Sequence, residues 1–181
     1  MRTPFPQGSG IFETLRTENG QVAELTRHMR RAVTSARKIG IAIPDEEELR
    51  IAMAEEIDKS PHEVGRLRLC FSSTGYEITH HAYQDATLPL RLTFHSTSSQ
   101  SVGEQIKSYP YDLRFAILDE ALLHGFDDAI VFNLSNQVTE SAIANIAFLL
   151  QGRWITPPIS AGILPGVMRA IAVERCEVLV S

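Results

Sequence analysis

Apolar and polar residues alternate near the start of the chain, a pattern typical of strands with one buried face. Residues 10–16 and 21–25 both show this alternation. The dipeptide Asn19-Gly20 lies between them, and Asn-Gly favours the tight turn of a two-stranded hairpin. The first element of the fold is therefore predicted to be a β-hairpin.

Two helices are predicted to follow the hairpin. Residues 27–39 have the helical period and end at Gly40, and Thr26 is the expected N-cap. A second helix is expected to start at Pro44-Asp45 and to run to about Lys59, with acidic residues in its first turn, where the helix dipole favours negative charge.

The remaining pattern predicts an α+β fold with two domains. Residues 1–100 are expected to form a small N-terminal α/β domain and residues 104–181 a C-terminal domain. The polar stretch 96–103 between them is rich in Ser and ends in Gly, as linkers often do. The other expected elements are strands at 64–71, 77–83 and 90–95, a helix at 113–124, strands at 129–132 and 137–140, a hairpin of 146–150 with 153–156, and a helix from Val167.

Composition and charge exclude several classes of function. The chain has 181 residues and a net charge of -5 without a basic stripe, so no nucleic-acid partner is expected. Because no apolar run could span a bilayer and no signal pattern opens the chain, we expect no membrane association and a cytoplasmic location. The two cysteines lie far apart, and no Cys or His spacing indicates a metal site.

Lys107 is the first candidate for chemistry. It follows the predicted linker and has the apolar Ile106 beside it. Burial disfavours the charged form of a lysine and makes its amine a nucleophile. A solvated surface charge is the alternative, and the residue alone does not decide between the two.

Glu140, Arg31 and residues 162–169 are further candidates. Glu140 closes a strand between apolar strands, where an unpaired carboxylate is costly, so it needs a cationic partner such as a protonated pyridine nitrogen. Residues 162–169 form a Pro/Gly turn before a helix, whose N-terminal N–H groups bind anions. Arg31 is the expected side-chain clamp for the same anion, and a solvated helix face is the alternative.

Four features, in order along the chain, resemble the class IV aminotransferase family. The first is residues 10–40, with Phe12-Glu13-Thr14 and His28-Met29-Arg30-Arg31. The others are Lys107 placed 33 residues before Glu140, residues 138–146, and Thr156-Pro157-Pro158 followed by residues 162–169. The resemblance covers nearly the whole chain.

This resemblance implies the cofactor pyridoxal 5'-phosphate and a role for each candidate. Lys107 matches the lysine that holds the cofactor covalently and moves a proton, and Glu140 matches the carboxylate that pairs with the pyridine nitrogen. Asn145 matches a structural position. The other matched positions contact the phosphate or the ring: Arg31 and the backbone N–H groups of Val167 and Met168 for the phosphate, and Leu164 for the ring face.

The resemblance also implies the two-domain architecture of fold type IV enzymes. These have a small N-terminal α/β domain and a barrel-like C-terminal domain, with the cofactor in the crevice between them, and they form homodimers. Family members usually continue beyond the last helix, whereas this chain stops at Ser181. We therefore expect the C-terminal domain to be incomplete.

Three activities share this scaffold. Branched-chain aminotransferases typically have Gly where Thr14 stands, and D-amino acid aminotransferases carry an Arg-x-His motif that residues 66–69 lack. Aminodeoxychorismate lyases often have the residues found here at 12–14 and 65–69, although their arginine-containing loop is not reproduced at 74–76.

The expected function is pyridoxal-phosphate chemistry on a small molecule that bears an amino group. The motifs favour 4-amino-4-deoxychorismate lyase, whose products are 4-aminobenzoate and pyruvate. A class IV aminotransferase of the branched-chain or D-amino acid type is the alternative, and a non-catalytic relative that keeps the fold is a further one.

Overall fold

Residues 4–86, 89–95 and 105–181 are described by the structure, a computed structural model. They divide into two compact units. Unit 1 holds the described residues up to Asp85 together with Lys107–Pro110, and unit 2 holds the described residues of Ala86–Ile106 together with Tyr111–Ser181. The predicted linker at residues 96–103 lies outside the described residues.

The described elements confirm the α+β class, with strands of two to nine residues and four α-helices. In chain order they are β1 (Gly10–Glu18), β2 (Gln21–Val22), α1 (Leu25–Ile39), α2 (Glu46–Lys59), β3 (Val64–Ser72), β4 (Gly75–Ala82), β5 (Leu92–Phe94), β6 (Ser108–Tyr109), α3 (Asp112–Leu123), β7 (Asp128–Phe132), β8 (Val138–Ser141), β9 (Phe148–Leu150), β10 (Arg153–Thr156), α4 (Val167–Arg175) and β11 (Leu179–Val180).

Unit 1 is built on an antiparallel sheet with the strand order β2-β1-β3-β4, in which β6 also pairs with β1. Alternation along β1 and β3 gives this sheet one apolar face. The cross-strand pairs Ile11↔Phe71 and Leu15↔Leu67 lie on that face, and each of these four residues is at most 1% exposed. The buried apolar residues of α1 and α2 complete the core of the unit: Met29, Ala32, Ala36, Leu49, Met53 and Ile57.

The helix ends of unit 1 follow local signals with one exception. Asp45 caps α2 by accepting a 2.8 Å hydrogen bond from the Glu48 N–H, and Gly40 ends α1 in the left-handed conformation at φ 72°. The prediction that Thr26 caps α1 is wrong. The N-cap is Glu24, whose left-handed backbone (φ 52°) turns the chain from the hairpin into the helix and leaves Thr26 inside the first turn.

Unit 2 contains two three-stranded sheets, with the strand orders β5-β7-β8 and β11-β10-β9. The strand β7 is buried along most of its length and contacts α3. The interior of the unit is apolar around Val131, Ala142 and Ile163, each 0% exposed. The buried end of β8 places Glu140 beside this core.

The division into units differs from the predicted boundary at residues 100–104. The strand β5 pairs in parallel with β7, so the residues before the predicted linker already belong to unit 2. Conversely, Lys107–Pro110 belongs to unit 1, because β6 adds to the edge of β1. Both differences arise from strand pairing between residues far apart in the chain.

Two kinds of feature are not found within the described ranges 4–86, 89–95 and 105–181. No helix there is long and apolar enough to cross a membrane. No group of three or more His, Cys, Asp or Glu side chains there is arranged to hold a metal ion.

Candidate active site

Lys107 lies at the sheet edge of unit 1, immediately before β6. Its carbonyl oxygen accepts a 2.8 Å hydrogen bond from the Phe12 N–H, and β6 continues the pairing with Gly10↔Tyr109 and Ile11↔Ser108. The Lys107 amine points at the Phe12 ring, with Nζ 4.5 Å from the ring centroid. Lys107 is half-buried, so it differs from an ordinary solvated lysine.

The approach of Lys107 to β1 depends on Gly10. A Cβ atom at this position would lie 2.0 Å from the carbonyl oxygen of Phe71 and 2.7 Å from the hydroxyl oxygen of Tyr109. Tyr109 is 2% exposed and stacks on Phe5, with ring centroids 5.2 Å apart. Only glycine at position 10 leaves room for this packing, which fixes the backbone just after Lys107.

Arg31 lies on α1 and is paired with Glu13 of β1. Arg31 donates from Nε to Glu13 Oε1 at 2.8 Å and from Nη2 to Oε2 at 2.5 Å. His28, one helical turn earlier, donates from Nδ1 to the same Oε2 at 2.7 Å. These contacts leave Glu13 1% exposed.

The charge of Glu13 follows from these partners. Burial by itself raises the pKa of Glu13, but the hydrogen bonds from His28 and Arg31 outweigh burial and lower this pKa below its ordinary value. Glu13 is therefore an ionised, buried acceptor that fixes the direction of the Arg31 guanidinium.

The carboxylate of Glu140, 4% exposed, is surrounded by donors within unit 2. Arg114 donates from Nη2 to Glu140 Oε1 at 2.5 Å. On the other side, the side-chain amide of Asn145 and the backbone N–H of Leu164 each donate to Oε2 at 3.0 Å. Glu140 therefore has a cationic partner, as predicted, and this partner is the side chain of Arg114.

The turn before α4 is tied to the same carboxylate. Besides its bond to Glu140, Asn145 donates from Nδ2 to the Leu164 carbonyl oxygen at 2.9 Å. A Cβ atom at Gly166 would lie 1.8 Å from Asn145 Oδ1, so this close approach requires glycine. The helix then begins at Val167, and the first N–H groups of a helix have no acceptor within it.

The predicted site residues thus fall into two described groups. Lys107 and Arg31 are held by the neighbouring residues Phe12 and Glu13 of β1 in unit 1. In unit 2, Leu164 donates to Glu140, while Val167 (7% exposed) and Met168 (67% exposed) start α4 two residues beyond Pro165.

Several residues of these groups were not predicted to have roles. No motif pointed to Arg114, and Asn145 was expected to be structural without a partner being named. One signal could have found Arg114: it lies in the first turn of α3, where the helix dipole disfavours a cation unless an anion is near. Glu13 and His28 belong to the opening motif, but their pairing with Arg31 needs the structure.

Comparison with known proteins gives a family and a fold. The sequence profile of the family described as amino-transferase class IV matches residues 10–180. A Schizosaccharomyces pombe protein with the provisional name aminodeoxychorismate lyase is 26% identical over 175 residues, which cover 92% of this chain and 74% of that protein.

Solved structures with the same fold include proteins named as lyases and proteins named as aminotransferases. A Legionella pneumophila protein, provisionally named 4-amino-4-deoxychorismate lyase, has a TM-score of 0.86 at 24% identity and covers 100% of this chain and 77% of its own. The Escherichia coli branched-chain amino acid aminotransferase has a TM-score of 0.79 at 20% identity, covering 97% of this chain and 67% of its own. At these identities the likeness establishes the fold.

Proposed function

Because the chain belongs to the class IV aminotransferase family, a family of pyridoxal-phosphate-dependent lyases and aminotransferases, we propose that it binds pyridoxal 5'-phosphate and acts as a 4-amino-4-deoxychorismate lyase. Its substrate is a small molecule whose amino group reacts with the cofactor. The products are 4-aminobenzoate and pyruvate.

The arrangement around Glu140 is the observation that carries the cofactor proposal. A carboxylate has about four lone-pair directions, and three donors use three of them here: Arg114 on Oε1, and Asn145 with Leu164 on Oε2. The second direction on Oε1 has no donor among the residues that the structure describes, and the side chain is buried. A protonated pyridine nitrogen is an N–H donor of the right charge for it, so the residues present fit the cofactor.

The other residues have complementary roles in this proposal. The Lys107 amine would hold the cofactor covalently and, once free, would be the base that takes the proton from the substrate carbon that bears nitrogen. In the roles that the family resemblance implies, Arg31 and the N–H groups of Val167 and Met168 would bind the phosphate, because an arginine fork and a helix N-terminus both suit a dianion. Leu164 would pack on the ring face.

The bound cofactor supplies an electron sink conjugated to the reacting carbon. What this chain contributes is a base at that carbon, Lys107, and a carboxylate that keeps the ring nitrogen protonated, Glu140. Departure of pyruvate then makes the six-membered ring of the substrate aromatic, which favours cleavage over simple amino-group transfer.

Two observations support the lyase over the aminotransferase reaction. The curated relative at 26% identity has a lyase name, and Thr14 stands where branched-chain aminotransferases typically have glycine. The early steps are common to the lyase and the aminotransferase reactions, so the products distinguish the two. Incubation with aminodeoxychorismate is expected to release 4-aminobenzoate and pyruvate in equal amounts, whereas keto acid formed from branched-chain or D-amino acids would assign an aminotransferase.

Covalent trapping tests the cofactor and its anchor. The protein is incubated with pyridoxal 5'-phosphate, reduced with borohydride and mapped by peptide mass spectrometry. The chain has only three lysines, and Lys38 and Lys59 are exposed on helices, so they serve as internal controls for surface labelling. The label is expected on Lys107 alone.

Matched variants sharpen this experiment. Lys107→Arg is expected to abolish the specific label while Lys59→Arg leaves it unchanged. Label spread over Lys38 and Lys59, or no label, would overturn the enzyme proposal and favour a non-catalytic relative of the family.

A further inference from the structure

Arg114 and Glu140 form a buried ion pair that no motif of the chain predicts. Arg114 Nη2 donates to Glu140 Oε1 at 2.5 Å, and Arg114 Nη1 donates to the carbonyl oxygen of Ser141 at 3.3 Å. Their side chains are 17% and 6% exposed. Arg114 therefore binds both the side chain of Glu140 and the backbone of Ser141. These two contacts fix the position of the Glu140 carboxylate near the end of β8.

The donors to Glu140 are divided between its two carboxylate oxygens according to charge. The neutral donors Asn145 and Leu164 occupy Oε2, whereas the cationic donor Arg114 occupies Oε1. The open lone-pair direction is also on Oε1, so a further donor to Glu140 would share that oxygen with Arg114. A second cation placed there would meet a carboxylate whose charge is already balanced.

We infer that Arg114 is a positioning residue that limits how strongly Glu140 holds the proton on the ring nitrogen of the cofactor. This inference rests on the proposed function and deepens it. An isolated carboxylate would strongly favour the protonated ring, whereas a carboxylate paired with arginine favours it less. Arg114 thereby tunes the electron demand of the bound cofactor through Glu140.

The sign of the effect is fixed by electrostatics. Removing the positive charge of Arg114 would leave the charge of Glu140 uncompensated, which would stabilise the protonated form of the cofactor ring nitrogen. The pH midpoint for loss of the ring-nitrogen proton, followed by the 15N chemical shift of cofactor labelled at that nitrogen, is therefore expected to rise, by on the order of one pH unit. A purely structural role would loosen the site but would not produce a shift that depends on charge.

Two substitutions separate charge from shape. Arg114→Gln keeps an N–H donor but removes the charge, so the midpoint is expected to move upward. Arg114→Lys keeps the charge but lacks the planar fork that reaches both Glu140 and Ser141, so the midpoint is expected to stay at the wild-type value while cofactor affinity falls. Arg153→Gln, at an exposed position of β10, is the matched control and should leave both quantities unchanged.

The experiment uses the full chain loaded with pyridoxal 5'-phosphate, and its first step is the borohydride label on Lys107. Absence of that label in the wild type defeats the proposed function itself. With the label present, identical titration curves for the wild type and Arg114→Gln would overturn the inference about Arg114 alone. An upward shift in Arg114→Lys would overturn it as well, even if Arg114→Gln did not fold, because the charge is retained there.

Discussion

Arg31 donates two hydrogen bonds to the carboxylate of Glu13, and this pair is almost removed from solvent, with side-chain exposures of 12% and 2%. His28 completes the group on the same carboxylate. Breaking such a pair by removing one charge leaves the other buried without compensation. The pair is thus a sensitive point of unit 1 and also fixes the arginine that we propose for phosphate binding.

Glu13→Gln is expected to lower the free energy of unfolding by about 3 kcal/mol, because Arg31 then stays buried without an anionic acceptor. Urea denaturation of the cofactor-free chain measures this change. The matched control is Glu46→Gln, which breaks the pair of Glu46 with Arg50 on the exposed face of α2 and should cost less than about 1 kcal/mol. Equal losses in the two variants would show that the Glu13 pair has no special stabilising role.

The stability of the chain is expected to decrease below neutral pH because of His80. This residue is 3% exposed, its Nδ1–H donates to the Ser60 carbonyl oxygen at 2.8 Å, and its Nε2 accepts from the Thr17 hydroxyl at 2.8 Å. Burial lowers the pKa of His80 below the ordinary value of 6.5. As the pH falls through about 6.5, His80 becomes protonated in the unfolded chain but stays neutral in the folded chain. Folding therefore becomes less favourable.

Denaturation curves between about pH 7 and pH 5.5 measure this dependence, a range in which histidine is the main titrating side chain. His80→Gln is expected to lower stability at pH 7 but to flatten its pH dependence. His81→Gln, at the exposed neighbouring position of β4, should keep the wild-type slope. A slope that persists in His80→Gln would assign the pH dependence to other groups.

Gly166 and Asn145 are expected to be energetically coupled. In Gly166→Ala the added Cβ would displace Asn145 Oδ1, 1.8 Å away, and with it the amide that donates to Glu140. We expect this variant to lose about 2 kcal/mol of stability, through the clash and the lost hydrogen bond. In an Asn145→Ala background the clash is gone, so the same substitution should cost much less. Additive losses in this double-mutant cycle would contradict the contact.

The two cysteines are expected to react very differently. Cys70 is 3% exposed, and burial raises its pKa from 9.0 to about 11, whereas Cys176 is exposed. Iodoacetamide at pH 8 should therefore modify Cys176 of the folded chain and spare Cys70. In the Cys176→Ser variant, alkylation should report only unfolding, and fast labelling of Cys70 under native conditions would show that β3 opens readily.

The elements of the fold could be predicted where their causes are local. The turn at Asn19-Gly20, the start of α2 near Asp45 and the end of α1 at Gly40 each depend on residues within one or two turns, and the structure has all three where the pattern places them. The start of α1 could not be predicted in the same way. Glu24 adopts the left-handed conformation although its side chain provides no capping bond, so the hairpin geometry outweighs the preference of Thr26 for the cap.

The partners of the site residues could not be predicted, because they are distant in the chain. Arg114 pairs with Glu140, which lies 26 residues later, and β5 pairs with β7, which lies more than thirty residues later. Residue types alone do not specify which cation meets a buried carboxylate or which strand completes a sheet. The sequence motifs predict the family and its fold type, but they do not predict that Glu13 pairs with Arg31 or that Glu140 pairs with Arg114.

Residues Lys107–Pro110 lie more than twenty positions after the rest of unit 1 in the sequence, and this order affects how the sheet forms during synthesis. A chain emerging from the ribosome presents all of β1 to β4 early, but the edge of β1 at Gly10 and Ile11 stays uncovered until β6 is synthesised. An uncovered sheet edge can pair with other chains. The segment that covers this edge also contains Lys107, so the strand pairing that protects the edge from other chains also sets the backbone position of Lys107.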